Sequence, residues 1–436
     1  MRKPTPLFQV PFIIVALVGG LFLLAHRAES QSSPNLNISL TNKQVTLSWQ
    51  TIHTDFGLEA GQSLDTNALW NIQLSGLTNL GSNFTFTTAA SSNAAFFRLH
   101  KAACNCGAIV APVETWTWVP FTNAYNVDGS TTGIGVNLNP ASSNVLIFMN
   151  GGGACWSDLT CYVLQTATIE PYGAEEFTND EAIFTTPGSG DYLWFYDRTV
   201  ATNVFKDFNY VFVPYSTGDV FAGSRTNLYG ATVTRQVGFL NFSNYLQCLV
   251  PTFPSASYVV LAGSSAGGLG ASFNWWQTQE AFSSARVDLI DDSGPILPED
   301  VIAEGSGSFS SMAISNWNLT AALPITCAEC SATNLDQIFS FFASVHPANR
   351  AAFLSYSSDS VMPTYYGLTT SQYNAGLAEF LAGPFNPNTN FAYFILSGSG
   401  HVLLPGAPSD TTDGVNLEQF LSEMVTNDPG WTSVQP

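Results

Sequence analysis

The sequence predicts an α/β fold: a mostly parallel sheet flanked by helices, preceded by a small all-β module. Three observations carry this expectation. First, short apolar runs alternate with helical stretches: NVLIFMN (144–150), YVFVPY (210–215), YVVLAG (258–263), VDLID (287–291), AAFLSY (351–356) and FAYFILSG (391–398). Runs that are apolar on both faces suit central parallel strands covered by helices on either side. Second, residues 35–100 instead alternate apolar and polar side chains in QVTLSWQ, NFTFTTA and AAFFRLH, with NLGSN and SSNA as turn signals. Third, KAACNCGAIVAPV between them reads as a linker. The expected order is an all-β module over 31–103, a linker over 104–113 and the larger domain over 114–436.

Ahead of the module, residues 1–30 read as an export signal. Arg2 and Lys3 give the positive start, Phe12 to Ala25 is apolar, and Ala28-Glu29-Ser30 offers small residues for cleavage after Ser30. The rival reading of the same stretch is an uncleaved anchor. No later segment is apolar enough to span a bilayer, so the expectation is a secreted monomer, extracellular or periplasmic, free of the membrane after cleavage.

Charged residues make up 10% of the chain, so the surface must be built mainly from Ser, Thr, Asn and Gly. Loss of Arg2, Lys3, Arg27 and Glu29 with the signal takes the formal charge from −20 to −22. That excess argues against nucleic acids and anionic membranes as partners, whose phosphates would be repelled. Seven cysteines fit an oxidising compartment, and their odd number leaves at least one thiol unpaired. Cys155 and Cys161 lie close together in GGACWSDLTC, as do Cys327 and Cys330 in CAEC, and both pairs are read as disulfide candidates. Zinc would need two well-spaced pairs with His or Cys partners, whereas Cys104 and Cys106 offer only C-x-C with no histidine cluster. No metal is expected.

On an open parallel sheet, ligands collect beyond the carboxyl ends of the strands. After YVVLAG comes Gly263-Ser264-Ser265-Ala266-Gly267, a G-x-S-x-G between a strand and the helix of LGASFNWWQTQEAF. A tight strand-to-helix turn strains the backbone at its central serine, and side chains two positions away would collide, so glycine is required there. This selects Ser265 as nucleophile over Ser264, whose neighbours at those offsets are Ala262 and Ala266. By itself the motif is equally a glycine-rich loop closing a helix.

A serine hydroxyl needs a base. His26 leaves with the signal, and His53 and His100 fall in the β module. His401 follows the last apolar run in FILSGSGHVLL, while His346 precedes a strand in SVHPANR, so His401 is the expected base. The acid should follow the penultimate strand, which points to Asp359 in FLSYSSDSVMP. Asp291 and Asp292 in LIDDSGP are the rival pair, read as shaping the site floor or a turn. Attack on an ester carbonyl also needs amide donors for the oxyanion. One is the amide of Ala266; the other is expected in Asn150-Gly151-Gly152-Gly153, where glycines let backbone approach a substrate.

With these residues collected, the chain resembles the pectin acetylesterase family, which includes Notum-type carboxylesterases. NGGGACWSDLTC, VFVPYSTGDVFAGSRT, LAGSSAGGLGASFN, DDSGP and the late GH carry the resemblance, from about residue 113 to about residue 424. It implies an α/β-hydrolase-like fold and a cofactor-free triad of Ser265, Asp359 and His401, with Gly152, Gly153 and Ala266 as oxyanion donors. It also implies a Cys155–Cys161 bridge. Family members commonly carry a cysteine shortly before DGS, where this chain has Asn126, so that bridge is expected to be missing and Cys248 to be left free. Trp156, Phe221 and Arg225 follow the two pocket-forming motifs and are candidate substrate contacts.

The expected function is a secreted serine carboxylesterase removing acyl groups, O-acetyl above all, from an acetylated polysaccharide such as pectin or another acyl ester. The alternatives are a Notum-like fatty-acyl deacylase and a non-catalytic carbohydrate-binding protein on a hydrolase scaffold. The β module lies outside the resemblance and reads as a spacer, a surface adaptor or a carbohydrate binder.

Overall fold

The computed structural model describes residues 35–50, 56–61, 70–72, 77–80, 83–89, 96–101, 107–189, 192–303, 309–386, 388, 390–406 and 408–436. The expected export signal therefore lies outside the described residues, as do Cys104 and Cys106. The chain divides into two compact units, Met1–Cys104 and Asn105–Pro436.

In the first unit, Asn37–Thr41, Gln44–Gln50, Asn83–Ala89 and Leu77–Leu80 lie side by side in that order as an antiparallel sheet. A three-stranded antiparallel sheet places Phe56–Gly61 between Trp70–Ile72 and Phe96–Lys101. The first hairpin turns on Asn42 and Lys43, both with positive φ, the conformation a two-residue hairpin needs to match strand twist. Val45, Leu47 and Trp49 point to one face, where they pack with Leu58, Phe86 and Phe97.

The second unit is an eight-stranded sheet. Its strands in chain order are β1 Thr117–Tyr125, β2 Thr131–Asn137, β3 Asn144–Met149, β4 Asn209–Val213, β5 Tyr258–Ser264, β6 Arg286–Asp292, β7 Ala351–Tyr356 and β8 Phe391–Leu396. They lie side by side as β8-β7-β6-β5-β3-β4-β2-β1. Strands β3 to β8 are mutually parallel, while β2 and β1 are antiparallel additions at one edge. The six apolar runs are thus the six parallel strands of an α/β-hydrolase-like sheet. The antiparallel pair lacks that signal for a physical reason. Strand β1 carries Pro120 and a register shift beyond it. Strand β2 needs glycines, because a Cβ at Gly133 would lie 2.1 Å from the Val119 carbonyl and one at Gly135 would lie 2.2 Å from the Phe177 ring.

Both faces of the sheet are covered. Helices α1 (Ala174–Phe184) and α5 (Leu417–Val425) contribute Phe177, Phe184, Leu417, Phe420, Leu421 and Met424 to a core with Leu146, Phe148, Val260, Ile290 and Phe394. Helices α2 (Gly238–Thr252) and α3 (Ala266–Ala281) cover the other side, with α3 across β5 and β6 and Trp275 stacked on Phe342 at 3.5 Å. Each such side chain removed from water contributes about 1.5–3 kcal/mol, enough in sum to hold the strand ends rigid. Among the described residues, no helix is long and apolar enough to cross a membrane.

Cys155–Cys161 and Cys327–Cys330 are disulfides. The expectation that Cys248 stays free is overturned, because Cys248 is disulfide-bonded. Asn126, shortly before Asp128-Gly129-Ser130, is buried and fastens its region with hydrogen bonds. Its amide donates to Ser130 Oγ (3.0 Å) and the Thr131 carbonyl (3.2 Å), and its oxygen accepts the Tyr172 N–H (3.1 Å).

Candidate active site

At the end of β5 the backbone of Ser265 adopts φ 58° and ψ −119°, a conformation that L side chains rarely hold. The flanking glycines explain how the turn fits. A Cβ on Gly263 would lie 2.0 Å from the Gly267 carbonyl oxygen, and one on Gly267 would lie 2.0 Å from the Met149 carbonyl oxygen. The turn is fixed by the Ser265 N–H donating to the Asp292 carbonyl at 2.7 Å and by the start of α3. The serine hydroxyl therefore stands at the carboxyl edge of the sheet.

Two loops bring the other expected residues to it. His401 Nε2 lies 2.7 Å from Ser265 Oγ, and His401 Nδ1 lies 2.8 Å from Asp359 Oδ2. Asp359 is fully buried, and its second oxygen accepts the N–H groups of Val361 (2.7 Å) and Met362 (3.0 Å). Both oxygens of that carboxylate are thus engaged, which fixes its rotamer as a turn carboxylate does. The rival acids lie elsewhere. Asp291 accepts the Ser272 hydroxyl (2.9 Å) and the Gly294 N–H (2.8 Å), while Asp292 faces Ser264 and the backbone of residues 403 and 404. His346 caps the helix Gln337–Val345, away from the serine turn.

The glycine loop after β3 closes over Ser265. A Cβ on Gly151 would lie 3.3 Å from that of Ser265, so backbone passes directly beside it. Gly153 has φ 74°, and a Cβ there would meet the Thr166 carbonyl at 2.2 Å. Tyr215 Oη donates to the Gly153 carbonyl (2.9 Å), and Tyr365 Oη donates to that of Thr166 (2.6 Å). Cys155, disulfide-bonded to Cys161, presents its carbonyl to Gln236 Nε2 (2.7 Å) and Trp317 Nε1 (3.0 Å). Behind this loop Asp219 is fully buried, accepting from Thr217 Oγ1 (2.6 Å) and the Gly238 N–H (2.7 Å), and burial pushes its carboxyl up to about 6. The amides of Gly152, Gly153 and Ala266 have no hydrogen-bond partner among the described residues.

The Pectinacetylesterase family profile matches residues 117–346, just over half of the chain. The chain belongs to the pectinacetylesterase family. Membership places it among the carboxylic ester hydrolases. A stretch of 148 residues is 29% identical to the palmitoleoyl-protein carboxylesterase notum2 of Xenopus laevis, spanning 34% of this chain and 28% of that protein. Among solved structures, the fold is similar to that of the Wnt deacylase Notum from Drosophila, with TM-score 0.52 and 16% identity over 72% of this chain and 94% of that one.

In this pectinacetylesterase-family chain a small apolar cavity of about 10 Å³ opens beside the serine, lined by Ser265, Ala266, Val220, Leu269, Met362 and Tyr365 among others. The three pocket candidates read from sequence do not line it. Arg225 is exposed at the start of a hairpin and donates to the Ser315 carbonyl (2.6 Å). Phe221 is buried against Tyr215, and Trp156 is half-buried, its carbonyl accepting from Asn316. The actual lining comes partly from α4 (Met362–Tyr366), which starts three residues after Asp359 with Pro363 in its first turn. That adjacency to the expected acid was the available signal in the sequence.

Proposed function

We propose that the chain is a serine carboxylesterase in which Ser265 is the nucleophile, His401 the general base and Asp359 the acid that orients the imidazole. The relay from Ser265 Oγ through His401 to Asp359, with contacts of 2.7 and 2.8 Å, carries this reading. His401 Nε2 takes the hydroxyl proton as Ser265 Oγ attacks the ester carbonyl carbon. The amides of Gly152, Gly153 and Ala266 receive the oxyanion. The alkoxide leaves with the proton from Nε2, and a water activated by the same nitrogen then splits the acyl-enzyme into carboxylic acid and free serine. Asp359 keeps Nδ1 protonated and stabilises the imidazolium. The complete relay also favours turnover over the non-catalytic binding reading.

Two acyl substrates have support. The named curated relative is a palmitoleoyl-protein carboxylesterase, which favours fatty-acyl ester hydrolysis. The family description and the cavity favour acetyl esters such as those of pectin, since about 10 Å³ is room on the scale of one water or methyl group. The comparison by name weighs more for the first, and a fatty chain would require Met362 and Tyr365 to swing aside. Secretion fits both readings, because disulfides such as Cys155–Cys161 and Cys327–Cys330 persist in oxidising compartments.

The test is hydrolysis of chromogenic acetyl, butyryl and octanoyl esters by wild type and Ser265→Ala. Loss of about 10⁴-fold or more in kcat is expected for the variant. Equal rates for variant and wild type would overturn the nucleophile assignment. A kcat/KM that climbs toward octanoyl supports the lipid deacylase, and one that falls beyond acetyl supports the polysaccharide esterase.

A further inference from the structure

The imidazole that meets Ser265 stands in a stretch, residues 397–406, that has neither helix nor strand. Its glycines let it pass a side chain closely, since a Cβ on Gly400 would lie 2.5 Å from the Tyr356 ring. Contacts from outside the loop must hold His401 in place, and they converge on the end of β6. Asp292 pairs with Ser264 across the sheet and is fully buried. Its Oδ2 accepts the Ser264 hydroxyl (2.7 Å) and the Leu404 N–H (2.9 Å), and its Oδ1 accepts the Leu403 N–H (2.9 Å). The next residue, Ser293, donates its hydroxyl to the His401 carbonyl. Three backbone groups within four residues of the histidine loop are thus gripped by two consecutive side chains beside the nucleophile turn.

We propose that Asp292 is a positioning residue: its buried carboxylate ties the histidine loop to the nucleophile turn and sets the imidazole of His401 within reach of Ser265. The proposal rests on reading Ser265 and His401 as the reacting pair. The anion is the form that works, because the Ser264 hydroxyl and the Leu403 and Leu404 N–H groups all donate to it, and the Ser293 hydroxyl lies 3.3 Å from its Oδ1. Burial raises its carboxyl to about 6, against the pull of Leu403, Ser264, Leu404 and His401. The other titratable groups facing it are Asp291 and Tyr356, both of which it raises. Asp291 is itself held well above the ordinary carboxylate range, by burial above all.

The test compares Asp292→Asn and Ser264→Ala with wild type, scoring kcat per serine titrated with a fluorophosphonate. The asparagine keeps the shape but turns an amino group toward donors. Its kcat should fall about 100-fold with KM little changed, as expected for a misplacement on the scale of 1 Å. Ser264→Ala, a smaller change, should lose about tenfold, the worth of one hydrogen bond to a charged group. The acid limb of log kcat against pH should become less steep in Asp292→Asn, since one of two required deprotonations has been removed. A rate per titrated serine within about twofold of wild type in a folded Asp292→Asn, whatever its melting temperature, would overturn the proposal. Should that variant fail to fold, an unchanged rate and acid limb in Ser264→Ala would overturn it equally. The His401 Nδ1 proton resonance, read without substrate, answers independently of turnover: it should broaden or move in Asp292→Asn, and its persistence would count against the clamp. Failure of the esterase reading is recognised separately, by a Ser265→Ala variant as active as wild type.

Discussion

The nucleophile turn and the histidine loop deliver atoms to within 2.7 Å of each other, yet they are built by opposite means. The nucleophile turn is local. Strand β5 runs into it, α3 runs out of it, and the glycines at 263 and 267 make way for a strained Ser265. The histidine loop has no regular structure of its own. It is held by groups far off in sequence: Asp292 and Ser293 from the end of β6, and the segment after β7 through the Ser358 N–H to the Gly398 carbonyl (3.0 Å). A locally specified element fails as a unit when one of its residues is changed. A remotely braced one can drift while the fold stays intact.

Breaking the two regions separately should expose this difference. The largest effect is expected from Gly267→Ala, whose new Cβ would meet main chain, the Met149 carbonyl at 2.0 Å, and cannot be relieved by a rotamer change. A loss of about 3–5 kcal/mol in unfolding free energy, measured in urea, should accompany loss of activity. On the other side, the Cβ of Gly400→Ala would meet the half-buried Tyr356 ring, a side chain able to shift. Activity should fall about tenfold while the urea midpoint hardly moves, since a small displacement of the imidazole costs rate rather than stability. Equal loss of stability in both variants would contradict the distinction.

The third and smallest test separates the regions by pH. Burial raises the carboxyls of Asp219, Asp288 and Asp292 from 3.8 to about 6. A carboxyl that binds its proton more tightly folded than unfolded contributes stability that is full below about 3.8 and is lost as pH rises through about 6. Stability should therefore increase as pH falls from 7 to 5, and relief of self-repulsion in a chain of formal charge −20 acts in the same direction. A rise in Tm on the order of 5 °C is expected by calorimetry. Over the same interval kcat should fall, because Asp292 loses the charge that holds the histidine loop. A Tm that drops in parallel with kcat would show that the buried carboxyls are not the controlling groups.

What was legible in the sequence follows the same division. The six parallel strands could be read because burial on both faces demands unbroken apolar runs, and Ser265 because a strained turn demands glycine at fixed offsets. His401 and Asp359 were readable through chain order, as residues following the last two such runs. The antiparallel pair β1 and β2 was missed because its glycines answer to Phe177 and the Val119 carbonyl, contacts that no local pattern announces. Trp156, Phe221 and Arg225 were drawn from motif adjacency, but the folded glycine loop turns its cavity toward Met362 and Tyr365 instead.

By itself, the sequence determined which segments become strands and where the strained serine turn falls, since local sterics and burial on both faces leave their mark on neighbouring residues. The tertiary structure alone decided that Asp292 grips residues 403 and 404, that Asn126 is buried in a set of hydrogen bonds, and that Cys248 is bonded. Those are pairings between segments distant along the chain. Their geometry depends on how whole strands and loops come together, and no short stretch of sequence encodes it.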